Sequence, residues 1–400
     1  MLTRHFYTVD EVHAALQYTS HRVEHQETLF WCKELICSGF VGETISTLFE
    51  SWIWHRGPFH LRWLINTWNT LASDEITEDV ILLSAYQLSS CTRIDHSLWS
   101  ILVLTIEDAM PDHVTPLSPA FPSDDPKEMY FIRALYQGKA RCAWWISRHF
   151  TDERVWWLLD WYTECIAKNA EYRICLEAFK NYEQLLGYRS DKYDIIIRCL
   201  AVISFCVRHD TFKELPSLDS RYLKTLDEWN THEGRMSRRI YGIPTACLYG
   251  TQRGHLRWTQ QNTVQLNYVE RGLIGCPFWE EALADYSRID DDIKWVSDDA
   301  LEAFYDKYFP DDIPDEWPKK EKQKSHGDGI LGPNEKISLL KYARIHLSRI
   351  CRLAWNTTAD VHRIITEMTD CNPCNIVTHF KVPLEVSDAE LAPRRKRLIV

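Results

Sequence analysis

Ser190-Asp-Lys-Tyr-Asp-Ile-Ile-Ile-Arg-Cys-Leu-Ala-Val-Ile-Ser-Phe-Cys-Val207 repeats apolar residues three and four positions apart, with no Gly or Pro to interrupt the pattern. That spacing lays a continuous apolar stripe along an α-helix, whereas a half-buried strand would alternate. The run from Ile195 to Val207 is broken by Arg198, and residues 98–106 form an apolar run of only nine, so neither reaches the roughly 20 residues that a bilayer span needs. The same period recurs in residues 28–37, 42–54, 60–71, 78–89, 95–107, 126–137, 139–149, 152–168 and 171–186, mostly with short connections. The sequence therefore predicts a mainly α protein, an antiparallel helical array or bundle, with a less regular segment near 231–277.

Prolines at 111, 116, 119, 122 and 126 break the array and separate an N-terminal helical unit, 1–110, from a second one, 126–210. The two units echo each other. Leu29-Phe-Trp-Cys-Lys-Glu-Leu-Ile36 followed by 45–54 parallels Ala143-Trp-Trp-Ile-Ser-Arg-His-Phe150 followed by 155–162, a Trp-bearing helix and then an amphipathic one. Duplication of a helical unit and independent use of Trp as core filler both account for it. Residues 211–316 form a basic, then acidic, mixed segment that includes a helix-like stretch at 221–230. Residues 317–334 read as a charged, Gly-containing flexible linker, and 335–400 as a helical segment with a basic tail, Arg394-Arg-Lys-Arg397. That tail suits a nuclear import signal, a nucleic-acid arm or simply a solvated terminus.

The 400 residues include 17 Trp, 18 Tyr and 15 Phe but only 14 Gly, which excludes disorder and low complexity. A formal charge of −11 excludes a protein that coats nucleic acid with its whole surface, so a nucleic-acid site has to be local. Thirteen scattered cysteines in apolar settings read as buried thiols of a reducing compartment. The opening residues lack the apolar core of a signal peptide. The expectation is an intracellular protein of cytoplasm or nucleus, with no membrane association.

Residues 234–269 hold five arginines and no acid. Arg235, Arg238, Arg239, Arg253 and Arg257 alternate with Tyr241, Tyr249, Trp258 and Tyr268. Guanidinium groups give bidentate phosphate contacts and aromatic rings give stacking faces, the chemistry that single-stranded nucleic acid requires. The candidate nucleic-acid-binding set is therefore Arg235, Arg238, Arg239, Tyr241, Tyr249, Arg253, Arg257 and Trp258. Another partner for the same arginines lies in the chain itself: residues 280–316 carry fourteen acids against three bases.

Thr231-His-Glu-Gly-Arg235, beside these helical units, resembles the helical C-terminal region of clamp-loader-like AAA+ proteins of the replication-associated recombination family. There a His-Thr and Gly-Arg pattern follows helices rich in aromatic residues and Leu. Phe30-Trp-Cys-Lys-Glu-Leu-Ile-Cys-Ser-Gly39 and Ala143-Trp-Trp-Ile146 are similar to that region's first helix. The resemblance spans about half of the chain and departs from the pattern in having Thr before His and an early Gly-Arg. The phosphate-cradling Gly-x4-Gly-Lys-Ser/Thr loop is absent, so the resemblance implies a role in nucleic-acid transactions without the ATPase. The Trp-rich helical character also resembles proteins of large double-stranded DNA viruses.

No complete catalytic or cofactor motif is present, which favours a non-catalytic protein and leaves an enzyme with a dispersed site as the less supported class. Cys371-Asn-Pro-Cys374 with His379 has the opening of a zinc knuckle but no fourth ligand downstream, and reads as a Pro-containing helix stop. His21 and His25, the pairs Asp95-His96 and His209-Asp210, and the run Asp290-Asp-Asp292 lack the partners a metal or catalytic site needs. No metal and no cofactor are expected. Two functions follow: an accessory protein binding a phosphate backbone through the Arg/aromatic segment, or a structural or assembly protein using its Trp-rich helices for protein–protein contact or self-association.

Overall fold

The computed structural model describes residues 2–308, apart from residues 6, 8, 72–75, 94–96, 99–100, 102–113, 208–210, 231–240, 242–269 and 291–292. The linker at 317–334, the segment 335–400, and with it Cys371, Cys374, His379 and the basic tail, lie outside the described residues. The fold is mainly α: 70% of the described residues are helical, and the sheet is a two-stranded hairpin.

The helices are α1 (Val9–Arg22), α2 (His25–Cys37), α3 (Val41–His55), α4 (Leu61–Leu71), α5 (Glu78–Ser90), α6 (Pro126–Tyr136), α7 (Ala140–Ser147) and α8 (Asp152–Tyr162). After α8 come α9 (Ala170–Lys180), α10 (Glu183–Leu186), α11 (Asp191–Cys206), α12 (Ser220–Asn230), α13 (Glu270–Leu273), α14 (Pro277–Ala284) and α15 (Asp298–Tyr308). The strands β1 (Ser287–Ile289) and β2 (Ile293–Trp295) pair antiparallel, with Arg288 opposite Lys294. Local chemistry sets several starts. Asp125 caps α6 by accepting from Lys127 N, with Pro126 in the first turn, and Thr151 and Asn169 cap α8 and α9 in the same way. Two sequence expectations are corrected. The helix expected over 171–186 is two helices, because Asn181 leaves helical geometry and ends α9. The one expected over 152–168 changes to a π turn at Thr163–Ala167 and stops where Lys168 takes a left-handed φ of 51°.

The described residues form two compact units, one drawn from 1–48, 77–90 and 216–308 and the other from 49–76 and 91–215. In the first, α1, α2 and α5 pack on one another and α12 packs on α2, while α14, the hairpin and α15 form a small module. That module closes over a ring cluster in which Phe304 sits 4.9–6.4 Å from Tyr286, Trp295, Trp279, Tyr305 and Tyr308. Gly39 makes its junction possible. Its φ is +88°, and a Cβ there would lie 2.6 Å from Pro277 Cβ, so a side chain would be both strained and obstructed.

In the second unit α11 is central, packed by α6, α7, α9 and the 3-10 turn Gly57–Phe59. Burial of Ile196, Ile197, Leu200, Val202 and Ile203 explains why residues 190–207 read so strongly as core. Phe49, Trp52 and Trp63 stack beside it at centroid spacings of 5.9 Å, and Trp52 Nε1 donates to His60 O at 3.0 Å.

Candidate functional site

Of the eight candidate nucleic-acid residues, Tyr241 alone is described; Arg235, Arg238, Arg239, Tyr249, Arg253, Arg257 and Trp258 lie outside the described residues. Tyr241 is fastened to the first unit. Its carbonyl accepts from Tyr7 Oη at 2.7 Å, and its half-buried ring stands edge-on to Phe30 with centroids 4.9 Å apart. Burial, with the Glu27 carboxylate nearby, raises the Tyr241 phenol above its ordinary value.

The flanks of residues 231–269 belong to that same unit. Before it, α12 packs on α2. After it, Leu2 N donates to Gly272 O at 2.6 Å, and the Cys276 thiol contacts Ser38 O at 3.4 Å. The Arg/aromatic segment thus leaves from and returns to one helical support, with Tyr241 as a tether between. The acidic module belongs to this unit as well. Glu280, Glu281, Asp285, Asp290, Asp298, Asp299, Glu302 and Asp306 are all exposed there, against exposed Arg288, Lys294 and Lys307. Lys294 pairs with Asp290 at 2.9 Å.

Within this unit is a buried carboxylate–imidazole pair that no local motif announces. Glu34, on α2, has no exposed surface; its carboxylate takes His5 Nδ1 at 2.7 Å and His5 N at 3.0 Å. Burial opposes its ionisation, but the charge of His5 and hydrogen bonds from His5 and Thr3 hold the carboxyl below its ordinary value. Ser38 Oγ continues the network, accepting from Arg4 N at 2.9 Å and donating to Glu34 O at 2.7 Å. His25 Nδ1 lies 2.8 Å from Ser89 Oγ, the geometry of a base and a nucleophile. Ser89 is fully buried and its hydroxyl also donates to Tyr86 O, so the pair joins α2 to α5 and offers no face to a substrate. In the second unit burial lowers His60 to about 4 and Arg56 to about 10.

Among the described residues no three His, Cys, Asp or Glu side chains converge on a possible metal position. Asp95, His96, His209 and Asp210 lie outside the described residues. All nine described cysteines are free thiols, and burial raises Cys91 to about 12 and Cys276 to about 11. Thiolate is the reactive form, so these groups are inert at neutral pH. Cys165 is exposed. Brief maleimide treatment of the native chain, read by mass spectrometry, is expected to modify Cys165 while sparing Cys32, Cys175 and Cys199 until denaturant is added. Equal labelling of all four would contradict the packing described here.

No family model, no curated protein and no solved structure matches the chain. No helix among the described residues is long and apolar enough to cross a membrane.

Proposed function

We propose that the protein is a non-catalytic accessory factor in nucleic-acid transactions that holds a phosphate backbone on Arg235, Arg238, Arg239, Arg253 and Arg257, with Tyr241, Tyr249 and Trp258 as stacking faces. The observation that carries this reading is the acid-free run of 234–269 within a chain of net charge −11. Five guanidinium groups without a carboxylate among them repel one another unless an anion compensates. The resemblance to the helical C-terminal region of clamp-loader-like proteins supports the same role. Free thiols, most of them buried among the described residues, suit the reducing cytoplasm or nucleus, where such a factor would act.

A mobility-shift titration of the full chain with single- and double-stranded DNA across a salt series tests the proposal. Affinity that falls steeply and linearly in log salt supports it, because each neutralised phosphate releases counterions. Absence of binding at low salt overturns it. The alternative, an assembly protein working through its helical scaffold, draws support from the exposed Leu117 and Trp157, 65% and 43% accessible. It predicts a stable complex with itself or a protein partner whether or not nucleic acid is present.

A further inference from the structure

The connection before α6 is proline-rich and lies in neither helix nor strand from residue 114 to 125. It is held nonetheless. At the C-terminal end of α6 the Gln137 side chain acts as a surrogate peptide: its Oε1 accepts from Thr115 N at 3.0 Å, and its Nε2 donates to Thr115 O at 2.9 Å and to Leu117 O at 2.8 Å. Beyond Pro119, the Phe121 ring meets Trp161 edge-on at 4.6 Å and Trp157 at 6.5 Å. Trp157 and Trp161 are one helical turn apart on α8 and share a face with Arg154, whose guanidinium lies 4.0 Å from the Trp157 ring centre and is paired with Glu128.

This face is separate from the core. α8 buries Val155, Leu158, Leu159 and Tyr162, whereas Trp157 is 43% exposed and Leu117 points 65% of its surface at solvent. Val114, at the root of the strap, is buried in the core; lifting the strap beyond it would uncover two indole rings and one amide. An aromatic ladder that grips rings, combined with a polar side chain that reads backbone rather than side chains, is the chemistry that recognises extended proline-rich segments, which leave their C=O groups and the N–H groups of their non-proline residues unpaired and carry little ordering cost.

We infer that the Trp157–Trp161 face of α8, with Gln137, is a docking site for a proline-rich extended segment bearing an aromatic anchor on a partner protein, and that residues 114–125 occupy it in cis until displaced. The occupant's chemistry is taken from the strap already seated there. A tethered strap competes at an effective concentration on the order of millimolar, so the site answers only a partner that outcompetes it, or a chain whose strap is loosened.

The probe is a fluorescein-labelled peptide spanning residues 114–124, titrated against the full-length chain by anisotropy. Phe121→Ala in the chain loosens the strap and leaves the face intact. It is expected to bind the peptide at least about tenfold more tightly than the unaltered chain. Adding Trp161→Ala should abolish that gain, and a peptide carrying Ala for Phe should not bind. Should Phe121→Ala lose helical circular dichroism, Thr115→Pro loosens the same strap by deleting the N–H that Gln137 reads, and carries the same expectation. Equal affinity for the unaltered and loosened chains, or binding that survives Trp161→Ala, overturns the inference. So does self-association of the loosened chain that Trp161→Ala abolishes while the peptide fails to bind, since the occupant would then be a second copy.

Discussion

Trp279→Ala is expected to destabilise the first unit by about 3–5 kcal/mol, the range for emptying a fully buried indole. Trp279 has no exposed surface, its Nε1 donates to Thr3 O at 2.9 Å, and Phe278, Phe304 and Tyr308 pack on it at 5.0–6.4 Å. The substitution removes the ring cluster's anchor and strands the Thr3 carbonyl without its donor. Because α14 and residues 2–4 meet at this ring, amide hydrogen exchange should accelerate first in α14, the hairpin and α15. A loss under about 1 kcal/mol in urea titration would show that the module is held elsewhere.

Glu34→Ala should cost a similar amount, about 3–5 kcal/mol, since it leaves a buried imidazole, the His5 N–H and the surrounding network without their acceptor. The pH dependence has a defined sign. The folded carboxyl is held below its ordinary value, so the unfolded chain binds the proton more readily. Its stabilising contribution is complete above that ordinary value and is lost as pH falls through the lowered one. Glu34→Gln keeps the shape and removes the titration, so its stability should fall less steeply with acid than that of the unaltered chain. Parallel acid limbs would contradict the assignment.

Apolar periodicity places α11 within a residue at each end and the starts of α6 and α8 at 126 and 152, positions where the structure adds Asp125 and Thr151 as caps. Helix α1 escapes because its buried face includes Thr19, Ser20 and His21, polar residues that blur the stripe and are tolerated through bonds such as Thr19 Oγ1 to Ala15 O. The hairpin escapes because its strands are three residues long and flank Asp290-Asp-Asp292, which reads as solvated charge. Pairing of His5 with Glu34, 29 residues apart, and of Gln137 with the strap 20–22 residues before it, is set by tertiary packing and leaves no periodic trace. The same holds for the assembly of described residues from 1–48, 77–90 and 216–308 into one unit. Of the proposed Arg/aromatic site, the sequence shows only a missing charge sign over 36 residues; the anchorage of Tyr241 by Tyr7 and Phe30 leaves no local trace, since those partners lie more than 200 residues away.

The proposed function rests on whether the arginines meet phosphate or the chain's own carboxylates, and one paired measurement separates the two: DNA affinity across a salt series, with the thermal midpoint, for Arg238→Ala/Arg239→Ala. The account predicts weaker binding, a log–log salt slope reduced by up to about two, and an unchanged midpoint. A double variant that binds DNA normally at every salt concentration would contradict it, and a lowered midpoint in that variant would identify the acidic module as the partner instead.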